Sequence, residues 1–413
     1  TLIVRQDGGE PRRLSLEMDE NRTLKLPIEH GGANLFEFEI APREGELSAL
    51  NNRAAAIVNG VRDRLRVLLV SGAPYIGERV WRDFLKSDPS VDLVHFTILR
   101  PPEKQDFTPV NEMSLISFPV QELFETKLEE FDLVIFDHYQ RRGILSWSYL
   151  ENIVRYVKNG GALLEAVGPE FASPLSLYRT PLRDILPGAP TGTVFEEGYR
   201  PDLTTQGWRH PVTAGLPDLF AGATATASAK AGPGDLPQWG RWFRQVEVTP
   251  RRGRVLMNGV GDAPLLILDR FGKGRVAQLL SDHIWLWARR FEGGGPQAEL
   301  LRRLAHWLMK EPELEEEALT AAIEDNILTI HRRSLGQSTV PISVTLPSGS
   351  KQSVSLLADG AGKAMARLAA EETGLYRIND GQRIALAVSR TLNPPEYADL
   401  RATEKTLRPL ASK

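Results

Sequence analysis

The sequence of 413 residues contains no cysteine. This absence excludes a disulfide framework, a thiolate metal site and catalysis by a thiol nucleophile. It does not fix the cellular compartment, because proteins outside the cytoplasm can also lack thiols. Any reaction carried out by this chain would therefore use other side chains.

Long apolar runs and a strong charge of one sign are also missing. No stretch of about 18 apolar residues occurs, so no segment of this sequence is predicted to span a bilayer. The formal net charge of −3 argues against a nucleic-acid-binding surface. Hydrophobic residues make up 42% and charged residues 25%, which is typical of globular proteins. The length predicts about two or three domains.

Residues 1–62 alternate apolar and polar side chains, for example at Phe36, Phe38 and Ile40. A period of two predicts half-buried antiparallel strands, here near residues 14–18, 24–28, 36–40 and 54–58. We interpret this region as a small immunoglobulin-like β-sandwich that lacks a strand or two at its start. Since strand-like sequence begins at Thr1, we expect an excised piece of a longer protein. Processing of a secreted protein is the alternative.

Residues 63–311 alternate short apolar runs with amphipathic segments. The apolar runs suit strands that are buried on both faces, and their alternation with helices predicts a parallel, doubly wound sheet. The predicted strands are 66–72, 91–99, 131–137, 162–167, 264–268 and 274–280. The predicted helices are 78–86, 147–158 and 299–309.

The remaining residues, 312–413, form the third predicted domain. Its first part, 312–325, is acidic and is interpreted as a solvated helix end or linker. Alternation with a period of two returns over 326–390 and predicts a second β-sandwich. A polar tail follows to residue 413.

Five motifs of the central region occur in order, at residues 70–74, 136–139, 160–169, 209–216 and 271–276. Among them are GGALLEAVGP, RHPVTAGL and FGKGRV. They resemble motifs of the class I glutamine amidotransferase-like superfamily, and most closely those of trehalose-utilisation-type domains. The resemblance implies a multidomain protein with a central α/β, flavodoxin-like parallel sheet between N- and C-terminal β-sandwich domains.

The whole arrangement also resembles the extracytoplasmic part of uncharacterised bacterial membrane proteins, which occur alongside von Willebrand factor A-type membrane proteins. This resemblance implies a position at the periplasmic face of the inner membrane, with the membrane tether outside this chain. Other membrane-associated proteins, of the von Willebrand factor A type, are the expected partners. No nucleic-acid partner and no cofactor are expected.

The sequence departs from the amidotransferases at the sharp turn that carries their nucleophile. The corresponding turn here is Val167-Gly168-Pro169-Glu170, which offers neither cysteine nor serine. The resemblance therefore assigns no glutaminase activity to any residue. We expect a catalytically inactive amidotransferase-like domain that acts as a binding or scaffolding module.

Ligands of open α/β sheets bind beyond the carboxyl ends of the strands. In this sequence those ends bring together hydroxyl, carboxylate and imidazole groups, and the loop at 209–216 could fold over the same edge. The predicted ligand-binding residues are Ser71, Gly72, Asp137, His138, Tyr139, Gly168, Glu170, His210, His283 and Trp285.

Three alternatives stay open. A hydrolase or isomerase of non-thiol type could act on a sugar-like ligand through Asp137, Glu170 and His210, although carboxylates at turns also cap helices. The aromatic and basic cluster that begins at Trp285 could bind a carbohydrate or a partner, or simply pack against the sheet. The outer sandwiches could serve adhesion or assembly. No metal is predicted, because Asp137, His138, His210 and His283 follow no short ligand spacing.

Overall fold

The computed structural model describes residues 1–15, 23–28, 32–43, 52–60, 64–97, 119–141, 143–219, 237–336, 341–358 and 362–389. The chain divides into two compact units. One unit is formed by residues 63–316, and the other by residues 1–62 together with 317–413. The sequence predicts a separate module at each end, whereas in the structure both end segments belong to one compact unit.

The N-terminal segment forms one four-stranded antiparallel sheet. Its strands are β1 (Leu2–Gln6), β2 (Arg12–Leu14), β3 (Gly32–Ile40) and β4 (Arg53–Gly60), in the spatial order β2-β1-β3-β4. The strand predicted at 24–28 is wrong, because these residues form no strand. Pro27 lacks the N–H that a sheet ladder needs there. Leu24 and Leu26 still pack against the apolar side of the sheet. Residues 16–18 of the first predicted strand lie outside the described residues.

The central unit contains one large sheet of eight strands in the order β10-β12-β13-β14-β8-β7-β5-β6, with β9 and β11 paired separately. The strands are β5 (Leu65–Ser71), β6 (Val91–Thr97), β7 (Leu133–Asp137), β8 (Ala162–Ala166), β9 (Gly188–Phe195), β10 (Asp202–Leu203), β11 (Gln245–Pro250), β12 (Arg254–Asn258), β13 (Pro264–Phe271) and β14 (Gly274–Leu279).

This sheet is mixed, so the prediction of a parallel sheet is right for one part and wrong for the other. Strands β6, β5, β7, β8 and β14 are parallel, whereas β13, β12 and β10 add on in antiparallel fashion. Only Gly272 and Lys273 separate β13 from β14. Two residues can close a hairpin but cannot make the crossover that parallel strands require. Gly272 has a φ of +60°, as such a turn demands.

Helices cover both faces of the large sheet. They are α1 (Ile76–Ser87), α2 (Trp147–Asn159), α3 (Leu216–Leu219), α4 (Trp285–Ala288) and α5 (Gln297–Leu308), with shorter helical turns at Glu122–Thr126, Leu128–Glu130, Pro169–Ala172, Leu177–Arg179, Pro181–Asp184, Val260–Asp262, Phe291–Gly293 and Pro312–Leu314. Val67 and Leu69 of β5 share one hydrophobic core with α1 and α5. Leu68 and Val70 share a second core with α2. This division explains why β5 is apolar at four consecutive positions, 67–70. None of the described helices has the length and apolar character that a bilayer span requires.

The C-terminal segment is a sandwich of two four-stranded antiparallel sheets around one hydrophobic core, in the orders β15-β16-β20-β19 and β18-β17-β21-β22. Its strands are β15 (Ala318–Glu324), β16 (Ile327–Arg333), β17 (Ile342–Thr345), β18 (Lys351–Val354), β19 (Leu357–Ala358), β20 (Lys363–Ala369), β21 (Gly374–Asn379) and β22 (Ile384–Ser389). The interpretation of 312–325 as a helix end or linker is wrong for its second half. There strand β15 contributes Leu319 to the core. The run of acidic residues ahead of this strand obscures its alternation of apolar and polar residues in the sequence.

Candidate functional site

Most of the predicted site residues lie together at the carboxyl edge of the parallel strands. Ser71 ends β5 and Asp137 ends β7, while Gly168 and Asp282 follow β8 and β14 within a few residues. Parallel strands present these ends at one edge of the sheet, which is why sequence order alone could group them. We call this group the edge site; its members are Ser71, Asp137, His138, Glu170, Asp282 and His283.

His138 lies at the centre of the edge site, between two carboxylates. Its Nε2 donates to Asp282 Oδ2 at 2.8 Å, and its Nδ1 is 3.2 Å from Glu170 Oε2. The second contact is an ion pair without hydrogen-bond alignment. The backbone of His138 has a φ of +53°, an uncommon conformation for a residue with a side chain. The fold therefore holds this imidazole in place through both its backbone and its ring.

Charge balance decides the protonation of this group. Burial disfavours the imidazolium, but the hydrogen bond to Asp282 and the proximity of Glu170 outweigh burial and raise the pKa of His138 to about 9. Burial likewise opposes the Asp282 carboxylate, yet His138 and Arg244 lower the pKa of Asp282 to about 2. Arg244 Nε donates to Asp282 Oδ1 at 3.0 Å, and its Nη2 to Oδ2. At neutral pH the His138 imidazolium thus pairs with the carboxylates of Glu170 and Asp282, and Arg244 pairs with Asp282 from outside the edge site.

Asp137 is fully buried beside this ion network. Burial raises the pKa of Asp137 to about 7, even though Tyr75 donates a hydrogen bond of 2.6 Å to its Oδ1. Ser71 Oγ lies 3.4 Å from both Asp137 Oδ2 and His95 Nε2. The carboxyl group of Asp137 is therefore held by hydroxyl groups and is close to half protonated at neutral pH.

The turn after β8 is tightly packed around Glu170. A Cβ atom on Gly168 would come within 2.3 Å of the His138 ring and 2.5 Å of Glu170 Oε2. Pro169 starts a short 3-10 helix, Pro169–Ala172, and Glu170 is its second residue. Although burial works against the charged form, His138 lowers the pKa of Glu170 below its usual value. Glu170 is thus a carboxylate that faces an imidazolium.

Other predicted residues serve packing around this edge. His283 Nδ1 accepts a hydrogen bond of 3.1 Å from the Phe243 N–H, and burial lowers the pKa of His283. Trp285 is half-buried and lies edge-on to His283 at 6.3 Å. Tyr139 is buried against Phe136, with ring centroids 4.9 Å apart. These contacts favour the packing interpretation of the aromatic cluster.

His210 does not join the edge site. It is buried and lies 3.3 Å from Glu316, and its ring stacks edge-on against Trp307 at 5.8 Å. Glu316 also pairs with Arg270, which lies opposite Arg275 at the start of β14. The His210–Glu316 pair is therefore near the amino end of β14, whereas Asp282 follows its carboxyl end. The expectation that the loop at 209–216 folds over the carboxyl edge is wrong.

Sequence reasoning missed Tyr75 and Arg244 as partners in this site. Tyr75 directly follows the motif at 70–74, so its position after the first predicted strand could have identified it. Arg244 comes from a segment with no recognisable motif, and only the fold brings it to Asp282. A neighbouring polar group at β6 was also missed: Thr97 Oγ1 donates to Glu78 Oε1 at 2.5 Å, and His95 lies 3.5 Å from the same carboxylate.

The arrangement limits what His138 can do chemically. A general base must be neutral near the operating pH and must have a nitrogen free to face the substrate. His138 is cationic at neutral pH, and both of its nitrogens face carboxylates. Among the described residues, no three or more His, Asp or Glu side chains are arranged to hold a metal ion. The part of the edge site around His138 is therefore a network of paired charges.

A first prediction concerns Gly72, which lies under the edge site. A Cβ atom at this position would come within 2.1 Å of the His138 carbonyl oxygen, which is backbone and cannot easily move. We expect Gly72→Ala to destabilise the central unit by about 2 to 3 kcal/mol, as an overpacked core does. Gly336→Ala is the control, because its nearest neighbour is Ser334 Oγ at 3.4 Å. Equal thermal stability of the two variants would contradict the prediction.

Comparison with known proteins adds similarity at a low level. No family model and no curated protein matches this chain. A cytoplasmic protein from Salmonella typhimurium aligns with 59% of this chain and 99% of its own, at 16% identity and a TM-score of 0.40. A second cytoplasmic protein, from Salmonella typhimurium LT2, aligns with 59% of this chain and 99% of its own, at 14% identity and a TM-score of 0.39. The exo-beta-1,4-mannosidase Op5Man5 from Opitutaceae bacterium strain TAV5 aligns over 60% of this chain and 37% of its own, at 15% identity and a TM-score of 0.31. Similarity at this level carries no argument about fold or activity.

Proposed function

We propose that the central unit is a catalytically inactive amidotransferase-like domain that acts as a binding or scaffolding module. The observation that carries this proposal is the position of His138, fixed between Glu170 and Asp282. A network in which each charge has an opposite partner stabilises one conformation and leaves no activated nucleophile. Paired charges at a sheet edge suit a rigid binding surface better than a reaction centre.

The finer fold that we propose for this unit is that of the class I glutamine amidotransferase-like superfamily. Five parallel strands with helices on both faces are in keeping with it. In the enzymes the turn after the corresponding strand bears the nucleophile. Here that turn contains Gly168, beside which the space for a side chain is filled by His138 and Glu170, and Pro169, which begins the next helical turn.

We further infer that the C-terminal sandwich is immunoglobulin-like. Strands β15 to β22, taken as A, B, C, C′, D, E, F and G, reproduce the sheet orders A-B-E-D and C′-C-F-G of that fold. Tyr376 on β21 supports the assignment: its hydroxyl accepts from the Glu372 N–H at 3.0 Å and donates to the Glu372 carbonyl at 2.9 Å. Such a tyrosine corner is typical of these sandwiches. Sandwich modules of this kind suit assembly roles.

The setting that we propose is the periplasmic face of a bacterial inner membrane, with a tether outside this chain. This part of the proposal depends on the resemblance described above, and von Willebrand factor A-type membrane proteins are the partners it implies. Reporter fusions placed at both ends of this region in its parent reading frame test the location. Periplasmic reporter activity at both ends is expected, and cytoplasmic activity at either end would contradict the location.

The absence of catalysis is tested with the purified chain. We expect no turnover of glutamine, of p-nitrophenyl esters or of p-nitrophenyl glycosides above that of buffer, because the chain has no thiol and both ring nitrogens of His138 face carboxylates. Glu170→Gln is the matched variant, since it removes the carboxylate with little change of shape. Hydrolysis by the wild-type chain that disappears in Glu170→Gln would contradict the proposal.

A second candidate is a hydrolase or isomerase of non-thiol type that acts on a sugar-like ligand. The observation in its favour is the pKa of about 7 at Asp137, which suits proton transfer at neutral pH. Such an enzyme would use Asp137 and Glu170 without His210, which the fold places elsewhere. Glycoside turnover that is lost in both Asp137→Asn and Glu170→Gln would favour this candidate over the first.

A further inference from the structure

The two ends of the chain contain a divergent sequence repeat with few identical residues. Residues 2–38 align with residues 342–378 at a constant offset of 340 positions, without a gap. Apolar residues coincide at the positions that face the apolar side, such as Leu2 and Ile342, Leu14 and Val354, and Phe38 and Ile378. Residues identical at this offset are Val4 and Val344, Gly9 and Gly349, Ser15 and Ser355, Leu16 and Leu356, Asp19 and Asp359, and Leu35 and Leu375. The N-terminal sheet therefore corresponds to one defined half of the C-terminal sandwich.

Strand pairing confirms this correspondence residue by residue. The order β2-β1-β3-β4 matches β18-β17-β21-β22, and in both sheets the neighbouring strands are antiparallel. Val4 lies opposite Phe38, as Val344 lies opposite Ile378. The pair Leu2 and Leu14 in the first sheet corresponds to the pair Ile342 and Val354 in the second. Likewise, the pair Phe36 and Ala56 corresponds to the pair Tyr376 and Ala387.

The two sheets differ in what covers their apolar side. In the C-terminal sandwich the facing sheet β15-β16-β20-β19 buries Ala387 to 5% exposure. The equivalent Ala56 is exposed, and Val58 on the same side of β4 is 41% exposed. Directly opposed residues of antiparallel strands share one side of a sheet, so Ala56 lies on the side of Phe36.

The described residues of the N-terminal segment supply only part of a second layer. Leu24 and Leu26, which the offset equates with Ala364 and Ala366 of β20, pack on the apolar side. A groove of about 280 Å³ remains beside them, lined by Val4, Leu26, Phe36 and residues 9–12. Counted over the described residues, the hydrophobic cluster on this side has three buried members, against 13 in the C-terminal sandwich.

We propose that this groove and the exposed side of β4 bind a two-stranded β-hairpin with alternating apolar side chains, the counterpart of β15 and β16. In the C-terminal sandwich that hairpin immediately precedes β17, and it begins 24 residues ahead of Ile342. Because β1 is the counterpart of β17, the same topology assigns the hairpin to the polypeptide directly ahead of β1. The occupant is thus a segment of the same protein, and the completed module is a second immunoglobulin-like sandwich.

The absence of cysteine makes this proposal directly measurable. Single cysteines are introduced at Ala56, on the apolar side of β4, and at Ile57, on its opposite side, where the native side chain is 63% exposed. Ala387→Cys is the reference for a completed sandwich. Each is compared in the 413-residue chain and in a chain extended by the natural segment of about 30 residues ahead of residue 1, enough for two strands and their turn.

In the 413-residue chain we expect a thiol reagent to label Ala56→Cys about as fast as Ile57→Cys, and Ala387→Cys at least about tenfold more slowly. In the extended chain Ala56→Cys should slow to the rate of Ala387→Cys, whereas Ile57→Cys should not change. Equal labelling of Ala56→Cys with and without the extension would overturn the proposal. So would slow labelling in the 413-residue chain that depends on protein concentration, because a second copy would then cover the groove.

Discussion

Replacing His138 by alanine should lower the free energy of unfolding of the central unit by about 3 kcal/mol, the usual cost of breaking a buried ion pair from one side. The ring is 10% exposed and neutralises Glu170 and Asp282 together. Without it, Asp282 keeps its ion pair with Arg244, whereas Glu170 loses its ion pair with His138. All eight tryptophans lie within residues 63–316, so tryptophan fluorescence during urea unfolding reports this unit alone.

His331→Ala provides the comparison for this experiment. His331 is exposed on β16 in the other unit, and its loss should leave the tryptophan transition unchanged. His138→Asn should lie between the wild type and His138→Ala, because asparagine tolerates a positive φ and can still donate to Asp282. A loss below about 1 kcal/mol for His138→Ala would mean that the ion pairs are no stronger than exposed ones.

The second large effect should come from Glu165, which is buried in the middle of β8. Gln278 Nε2 donates to Glu165 Oε2 at 2.7 Å, but burial prevails and raises the pKa of Glu165 to about 8. The folded state thus retains a proton that the unfolded state releases near pH 4.5. The stabilisation is complete below about pH 4.5 and is lost as pH rises to about 8, at up to about 1.4 kcal/mol per pH unit.

Glu165→Gln separates this contribution from those of other groups. Asp137 and His138 also have raised pKa values and change stability in the same direction. The difference in unfolding free energy between wild type and Glu165→Gln should therefore be followed from pH 5 to 9. We expect the wild type to lose roughly 4 kcal/mol relative to the variant up to about pH 8, with no further change above it. A difference independent of pH would show that Glu165 is already ionised in the folded state.

Local sequence was sufficient to predict the strands that lead to the edge site. The run that became β5 is apolar at consecutive positions because each side chain is buried on one face or the other. Once such strands are taken as parallel, their carboxyl ends must share an edge. Asp137, His138 and Glu170 could therefore be grouped without a structure, because each lies at the end of a buried strand or within four residues of it.

Features that depend on distant contacts could not be predicted in this way. Arg244 reaches Asp282 only because β11 returns beside the sheet, and His210 is drawn away by Glu316, more than 100 positions along the chain. The antiparallel addition of β13 depended on recognising the short turn at Gly272. The repeat of the outer sheets was missed because few side chains are identical and the likeness lies in strand register.

The proposed amidotransferase-like fold places the turn after β8 where the enzymes carry their nucleophile. Where an amidotransferase would need a reactive side chain, Gly168 leaves room for the His138 ring, and the carboxylates of Glu170 and Asp282 fix that ring on two sides. The same contacts that stabilise this edge leave neither ring nitrogen of His138 free to act as a base. If the proposal of an inactive domain is right, the same ion pairs account for both the stability of this edge and its lack of reactivity.

The most direct test of this account is the titration of His138 by nuclear magnetic resonance, with His138→Asn to assign its signal. The account predicts an imidazole that remains protonated at pH 7 and titrates near pH 9, as expected for a ring between Glu170 and Asp282. A midpoint at or below 6.5 would contradict it, because a neutral imidazole at the carboxyl edge would be available as a general base.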